Sequence, residues 1–217
     1  MQVSIVITCH NYDQYLGRAI RSAINQNYPR NQYEIVVVND YSPDETRDIM
    51  DSFMGYIRPI HLKENIGLAA ARNIGIKRAL GKYVVNLDAD DFISQNLILI
   101  ESLYLDEHKD WDAVSCNYDL IDENGNIFEI INGKEDPIAC GIMFRKDRLF
   151  EIGLYDPEFR VMEDQELRAR FERKYCIQNI ELSLYRYRRH ERNMTNNKEK
   201  IEHFKGMMQD KKHALDM

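Results

Sequence analysis

Asp88, Ala89 and Asp90 close the apolar run Tyr83-Val84-Val85-Asn86-Leu87. Residues i and i+2 of an extended segment point to one face, so the two carboxylates can be aimed at the same charged group. Carboxylates placed against an anionic diphosphate require a divalent cation between them, Mn²⁺ or Mg²⁺. A second acidic pair, Glu163-Asp164, opens a segment in which Leu167 and Phe171 recur at i, i+4, so these carboxylates sit at a helix N-terminus. There the helix dipole lowers a carboxylate's pKa, which also suits a purely stabilising role. Two other phosphate-binding solutions are missing: there is no GxxxxGK[ST], and no GxGxxG follows the first strand.

The elements that must position these residues alternate strand and helix. Val3 to Thr8 is an apolar run typical of a strand buried on both faces. Leu16, Ala19, Ile20, Ala23 and Ile24 then form a helical stripe that ends before Pro29. Tyr33 to Val38 is a second strand, and Ser42-Pro43-Asp44-Glu45 reads as a capping box with Pro at the first helical position. A third strand is expected over 57–62, a helix over 67–79 and a fourth strand over 83–87. A helix starting near Ser94 follows, with Leu97, Ile100, Tyr104 and Leu105 inward. This alternation implies an α/β fold: a Rossmann-like, mainly parallel sheet flanked by helices. Ala113 to Leu120 and Ile127 to Ile131 flank Asn124-Gly125, a hairpin signal, so antiparallel strands are added in the C-terminal half. The chain reads as a single domain over 1–217, with halves 1–112 and 113–195 and a helical tail over 196–217.

In such a sheet, ligands bind outside the carboxyl ends of the strands. Those ends are Thr8 to Tyr12, Asn39-Asp40, Glu64-Asn65 and Asp88 to Asp91. A carboxylate at Asp40 accepts the imino N–H of uracil or the N1–H and amino group of guanine, whereas N3 of cytosine is itself an acceptor. The alternative is a turn aspartate ahead of the Ser42 cap. Arg72, within a small, apolar helical segment, can grip Asp40 or a phosphate, or stand as a surface arginine. Arg188, Arg189 and Arg192 can neutralise a diphosphate or a lipid-linked acceptor, or simply guard an edge strand.

Composition bounds the partners. With 29 Lys plus Arg against 36 Asp plus Glu the net charge is −7, which argues against nucleic acid. Cys9, Cys116, Cys140 and Cys176 are scattered without metal-ligand spacing, and no transmembrane run or basic leader is evident, so a cytoplasmic protein is expected. Ile201, Phe204, Met208 and Leu215 recur at helical spacing among lysines. That tail either packs on the domain or lies on the inner face of a membrane.

Several segments, in order, resemble the family 2 glycosyltransferases of the GT-A fold. They are Val3 to Tyr12 with Gln26-Asn27-Tyr28-Pro29; Glu34 to Thr46; Asn65-Ile66-Gly67-Leu68-Ala69-Ala70-Ala71-Arg72-Asn73-Ile74-Gly75; Leu87 to Asp91; and Gly153-Leu154-Tyr155-Asp156-Pro157 leading to Glu163-Asp164. The resemblance implies an inverting transferase that moves a sugar from a nucleoside-diphosphate sugar, UDP foremost, to a saccharide or lipid-linked saccharide acceptor in polysaccharide or glycoconjugate synthesis. It implies that Thr8 and Asp40 line the nucleobase pocket, that Asn11 and Tyr12 belong to the nucleotide-sugar site, and that Arg72 holds that pocket or the diphosphate. Asp88 would meet the ribose, Ala89 the nucleotide sugar and Asp90 the metal; His190 would join the metal near the diphosphate or stand as a histidine on a basic, solvated strand; and Asp164, beside Glu163, would be the acceptor's base. The first strand lacks the Pro that commonly precedes Thr8 in the family. Two alternatives are a catalytically silent nucleotide-sugar-binding module, against which Asp90 and Asp164 speak, and a sugar-1-phosphate nucleotidyltransferase, which needs a Gly-rich basic loop that Thr8 to Leu16 is not.

Overall fold

The computed structural model describes residues 1–196, 202–204 and 206–208. Strands β1 (Val3–Cys9), β2 (Tyr33–Asn39), β3 (Arg58–His61) and β4 (Tyr83–Asp88) run parallel in the order β3-β2-β1-β4. The register sets Cys9 beside Asn39 and Thr8 beside Asp88, so the polar residues that end these strands share one level. Every residue of β1 and β2 is buried, as expected of strands covered on both faces.

Beyond β4 the sheet continues with short β5 (Phe92–Ile93), β6 (Ala113–Ile121), β7 (Ile127–Ile131), β8 (Ile142–Arg145) and long β9 (Ile177–Arg188), in the order β4-β8-β6-β9-β5. β8 is antiparallel to both β4 and β6, β7 forms the expected hairpin with β6, and β5 pairs antiparallel with β9. β9, by contrast, runs parallel to β6.

The helices are α1 (Asp13–Ile24), α2 (Thr46–Ser52), α3 (Leu68–Arg78), α4 (Leu97–Glu107), α5 (Lys146–Glu151) and α6 (Glu163–Phe171). Leu16, Ala19 and Ile20 of α1, Met50 of α2 and Leu97 and Ile98 of α4 pack with Ile5, Ile7 and Val37 on one face of the sheet. On the other face, Ala69, Ala71 and Ile76 of α3, Leu149 of α5 and Leu167 and Phe171 of α6 pack with Val6, Val36 and Val38. α3 lies close on the sheet because Gly75 has no side chain; a Cβ there would stand 2.4 Å from Val6 Cγ1. That close approach puts the neighbouring Arg72 among the strand ends.

Two local expectations are corrected. α2 begins at Thr46, and its N-terminus is served by Asp44, whose Oδ1 accepts the Thr46 N–H at 3.1 Å, while Ser42 Oγ accepts the N–H of Asn11. Asp13 and Asp44 also exchange caps: Asp44 accepts the N–H of Asp13, and Asp13 accepts that of Glu45. In α4 the buried positions are Leu97, Ile98, Glu101, Ser102 and Leu105, whereas Tyr104 is 36% exposed. Leu, Ile and Tyr surround most of this helix, so apolar spacing alone does not select its inner face.

The buried face of α4 carries an acid. Glu101 is 0% exposed, and neither carboxyl oxygen has a nitrogen or oxygen hydrogen-bond partner among the described residues; the Cys116 thiol lies beside it and also approaches the carbonyl of Gly141. Burial raises its pKa well above the ordinary 4.5. The native state therefore keeps a proton that the unfolded chain releases above that value, and stability is lost as pH rises from about 4.5. Glu101→Met should remove this slope and raise the unfolding free energy at pH 8 by about 1–3 kcal/mol, measured by urea denaturation at pH 5 and pH 8. A variant no more stable than the parent at pH 8 would contradict the buried, unpartnered acid.

Candidate active site

The strand ends open onto a cavity of about 1250 Å³. Thr8, Asn11, Tyr12, Asp40, Arg72, Asp88, Ala89, Asp90, Glu163 and Asp164 all line it. His190 lies behind this wall, its Nε2 3.0 Å from Asp90 Oδ2. Residues separated by more than 150 positions in the chain thus converge, because β1, β2 and β4 end at one level and α6 begins beside them.

Asp40 is 3% exposed and is first of all an anchor. Its Oδ1 accepts the N–H of Ile66 at 2.8 Å, and its Oδ2 accepts the N–H of Gly67 at 2.9 Å and the Asn65 amide at 3.1 Å. A carboxylate offers about four acceptor positions, so three are filled and one remains for a ligand N–H. His10, which the sequence reading did not single out, also lines the cavity; its Nδ1–H donates to the carbonyl of Asp40 at 2.8 Å, and its Nε2 accepts from the Asn11 amide.

Arg72 does not grip Asp40. It is 1% exposed, and its fork divides between Asp88 Oδ1 and Glu163 Oε1, each at 2.6 Å. The Tyr155 ring lies beneath it at 5.5 Å. The next residue, Asn73, holds the backbone of Tyr155 through both its amide nitrogen and its carbonyl oxygen, and the Tyr155 hydroxyl accepts from Asn86. α3 is in this way stitched to the segment that leads into α6.

The acids at the start of α6 behave differently from the dipole expectation. Burial pushes Glu163 up to about 7 despite Arg72, and burial also raises Asp164, against the lowering fields of Arg72 and Arg168. Desolvation outweighs the helix dipole. Glu163 is committed to Arg72, whereas Asp164 lines the cavity without a salt bridge to it. Met162, the residue just before them, adopts φ 63°, a left-handed conformation costing a non-glycine residue about 1–3 kcal/mol. Asn11, which also lines the cavity, shares that conformation with φ 60°.

The Asp88–Asp91 turn is braced from behind. Buried Asp91 accepts from the Tyr185 hydroxyl at 2.7 Å and from the Arg188 N–H at 2.7 Å, while Asp88 N–H donates to the same tyrosine oxygen. Arg188 is part of this brace and not a free cation: its guanidinium donates to the carbonyls of Asp90, Asp122 and Glu123. Arg189 and Arg192 do line the cavity, as does Arg160, whose guanidinium packs on Gly67. Asp136 to Ala139 and Tyr187 form the far wall.

A divalent ion is compatible with Asp90 and His190. Their facing oxygen and nitrogen are 3.0 Å apart, close to the separation of neighbouring ligands whose metal bonds are about 2.1 Å long at right angles. The carboxylate of Asp90 suits Mn²⁺ or Mg²⁺. No cluster of three or more His, Cys, Asp or Glu side chains that could hold a metal ion occurs among the described residues. The Arg192 N–H donates to His190 Nδ1, which leaves the ring proton on Nε2, facing Asp90. Ligation through Nε2 requires that proton to leave and the Arg192 contact to yield.

Among the described residues no helix is long and apolar enough to cross a membrane. Phe204 and Met208 of the tail pack on the domain, with Phe159, Val161 and Met162; Ile201 and Leu215 lie outside the described residues.

The family model described as Glycosyl transferase family 2 matches residues 4–213. Glycosyltransferase GlyG of Streptococcus pneumoniae serotype 4 is 34% identical over 138 residues, which are 61% of this chain and 44% of that protein. The crystal structure of Staphylococcus aureus TarS 1–349 in complex with UDP-GlcNAc superposes with a TM-score of 0.79 at 21% identity, covering 91% of this chain and 61% of that one. Mannosyltransferase PcManGT from Pyrobaculum calidifontis, in complex with GDP-Man and Mn²⁺, gives a TM-score of 0.73 at 18% identity, covering 88% and 58%. The fold is thus GT-A, and the chain spans less than two thirds of each of these proteins.

Asp40→Asn presents an N–H₂ to a ring of donors. It should cost about 1–3 kcal/mol of stability and raise hydrogen exchange at the amides of Ile66 and Gly67. Unchanged protection of those amides would show that the anchor is dispensable.

Proposed function

This chain belongs to glycosyltransferase family 2, and from that membership we propose that it transfers a sugar from a nucleoside-diphosphate sugar to an acceptor hydroxyl with inversion at the anomeric carbon. The observation that carries this reading is the placement of Asp164 on the same cavity as Asp88 and Asp90 while its neighbour Glu163 is taken up by Arg72. A raised pKa suits a carboxylate that must hold an acceptor's proton.

The remaining acceptor position of Asp40 suits a uracil or guanine N–H and not N3 of cytosine. UDP is the preferred donor nucleotide, supported by the likeness to TarS, a poly(ribitol-phosphate) β-N-acetylglucosaminyltransferase 29% identical over 111 residues. Asp88, fixed by Arg72, is available to the ribose. Asp90, together with His190, would hold Mn²⁺ or Mg²⁺, which when bound offsets charge on the diphosphate. Arg189 and Arg192 at the rim add positive charge for the departing group.

Asp164 takes the proton from the acceptor hydroxyl as that oxygen bonds to C1. The C1–O bond to the diphosphate breaks on the opposite face, and the electron pair leaves with the nucleoside diphosphate. One displacement inverts C1, so no second nucleophilic carboxylate is needed. The acceptor, a saccharide or lipid-linked saccharide of a surface polymer, enters along the wall formed by Asp136 to Ala139 and Tyr187.

Asp164→Asn keeps the shape and removes the base, so kcat should fall by about 10² to 10⁴ while UDP affinity, read by calorimetry with Mn²⁺, stays within about twofold. The acid limb of kcat/KM in the parent should lie above the ordinary aspartate value of 3.8, and transfer should stop in EDTA and return with Mn²⁺. Near-parental kcat in Asp164→Asn would move the base elsewhere.

A further inference from the structure

The segment 159–162 immediately precedes Glu163-Asp164, and it is not held by the sheet core. Phe159, Val161 and Met162 are buried in a separate hydrophobic cluster that is completed by Phe204, with Met207 and Met208 at its edge. The Phe159 and Phe204 rings are 5.9 Å apart. Within this cluster Met162 is kept at φ 63°, a backbone state that L residues leave when packing no longer enforces it. Asp164 is two residues on, in the first turn of α6.

We propose that Phe204 is a positioning residue: by burying Met162 in its left-handed conformation, the tail fixes the start of α6 and thereby the carboxylate of Asp164. Without that cover, Phe159 and Met162 lose their apolar partner, Met162 relaxes, and the first turn of α6 loses its fixed entry. Glu163 stays tied to Arg72, so the displacement falls on Asp164 while the strand ends that would receive the nucleotide remain in place. The tail thus acts on the acceptor side of the reaction and not on donor binding. Asn193 and Met194, just before the tail, line the same cavity, and Asn193 Oδ1 accepts the N–H of His190.

This inference rests on the reading of Asp164 as the base, and its test separates the two. In the 217-residue chain, Phe204→Ala should lower kcat by about 10- to 100-fold, the scale of a small misplacement of a reacting group, with the UDP dissociation constant changed less than about twofold. Phe204→Leu, which keeps apolar cover, should stay near the parent. Hydrogen exchange in the peptide spanning 162–167 should quicken by about tenfold or more in Phe204→Ala while β1 is unchanged, a readout that holds whatever Asp164 does chemically. Adding Met162→Gly, which adopts positive φ freely, to Phe204→Ala should recover part of the lost turnover. Parental kcat and exchange in Phe204→Ala, or a parallel loss of kcat and UDP affinity with no recovery on Met162→Gly, would overturn the proposal. Quickened exchange together with an active Asp164→Asn would retain the positioning role and discard the base assignment.

Discussion

Arg72 lies buried between Asp88 at the end of β4 and Glu163 at the start of α6, and its guanidinium is the shared contact of the two halves of the site. A fork with several fixed donors can hold two carboxylates at set angles, which a lysine's point charge does not do. The cost is desolvation. Glu163, whose pKa is pushed up to about 7, gives the measure of it: burial outweighs the attraction of Arg72. Between its ordinary 4.5 and about 7 the native state holds a proton that the unfolded chain releases, so this contact weakens the fold as pH rises through that window. A buried pair is poor evidence of net stability but strong evidence of fixed geometry, because removing one partner strands the other's charge.

The rest of the site follows from where that guanidinium must be. Gly75 and the alanines of α3 bring the helix close enough to the sheet for Arg72 to reach Asp88. Asn73 pins Tyr155, which directs the chain toward Met162 and α6. Asp40 fastens the loop before α3, and Asp91 with Tyr185 and Arg188 fastens the turn that carries Asp88 and Asp90. Asp40, Asp88 and Glu163, which line the cavity, are each held by a neighbouring element: Asp40 by the amides of Ile66 and Gly67, the other two by Arg72. Among the described non-glycine residues with positive φ, Asn11, Tyr41, Leu154 and Met162, both Asn11 and Met162 line the cavity.

The parallel half of the fold was legible because β1, β2 and β4 are short apolar runs separated by helical segments, the first of them an apolar stripe on α1, and the hairpin of β6 and β7 because Asn124-Gly125 dictates a turn. The cavity residues were legible because polar residues at the ends of such strands have one place to go. The two-residue β5 has too few residues to form a pattern, and the parallel pairing of β9 with β6 is decided by strand order. The partners of Arg72 were hidden for a different reason. An arginine in an alanine-rich helix can grip a buried anion or face solvent, and only the tertiary fold buries it and selects Asp88 and Glu163 over Asp40. Arg188 was misleading, since a run of tyrosine and arginine reads as an exposed edge, and three backbone carbonyls that internalise its guanidinium leave no trace in composition. The raised pKa of Asp164 was missed because helix position predicts the opposite sign, and burial is invisible until α6 is docked.

The claim that Arg72 binds the two halves into one unit is tested most directly by a double-mutant cycle on stability. Unfolding free energies are measured at pH 8, where Glu163 is ionised, for the parent, Arg72→Met, Glu163→Gln and the double variant. If the guanidinium is the shared contact, each single change strands a buried group and the double change relieves part of that cost, giving a coupling of about 2 kcal/mol or more. Additivity within about 0.5 kcal/mol would mean that Arg72 and Glu163 are independent, and the site would then owe its geometry to the sheet alone.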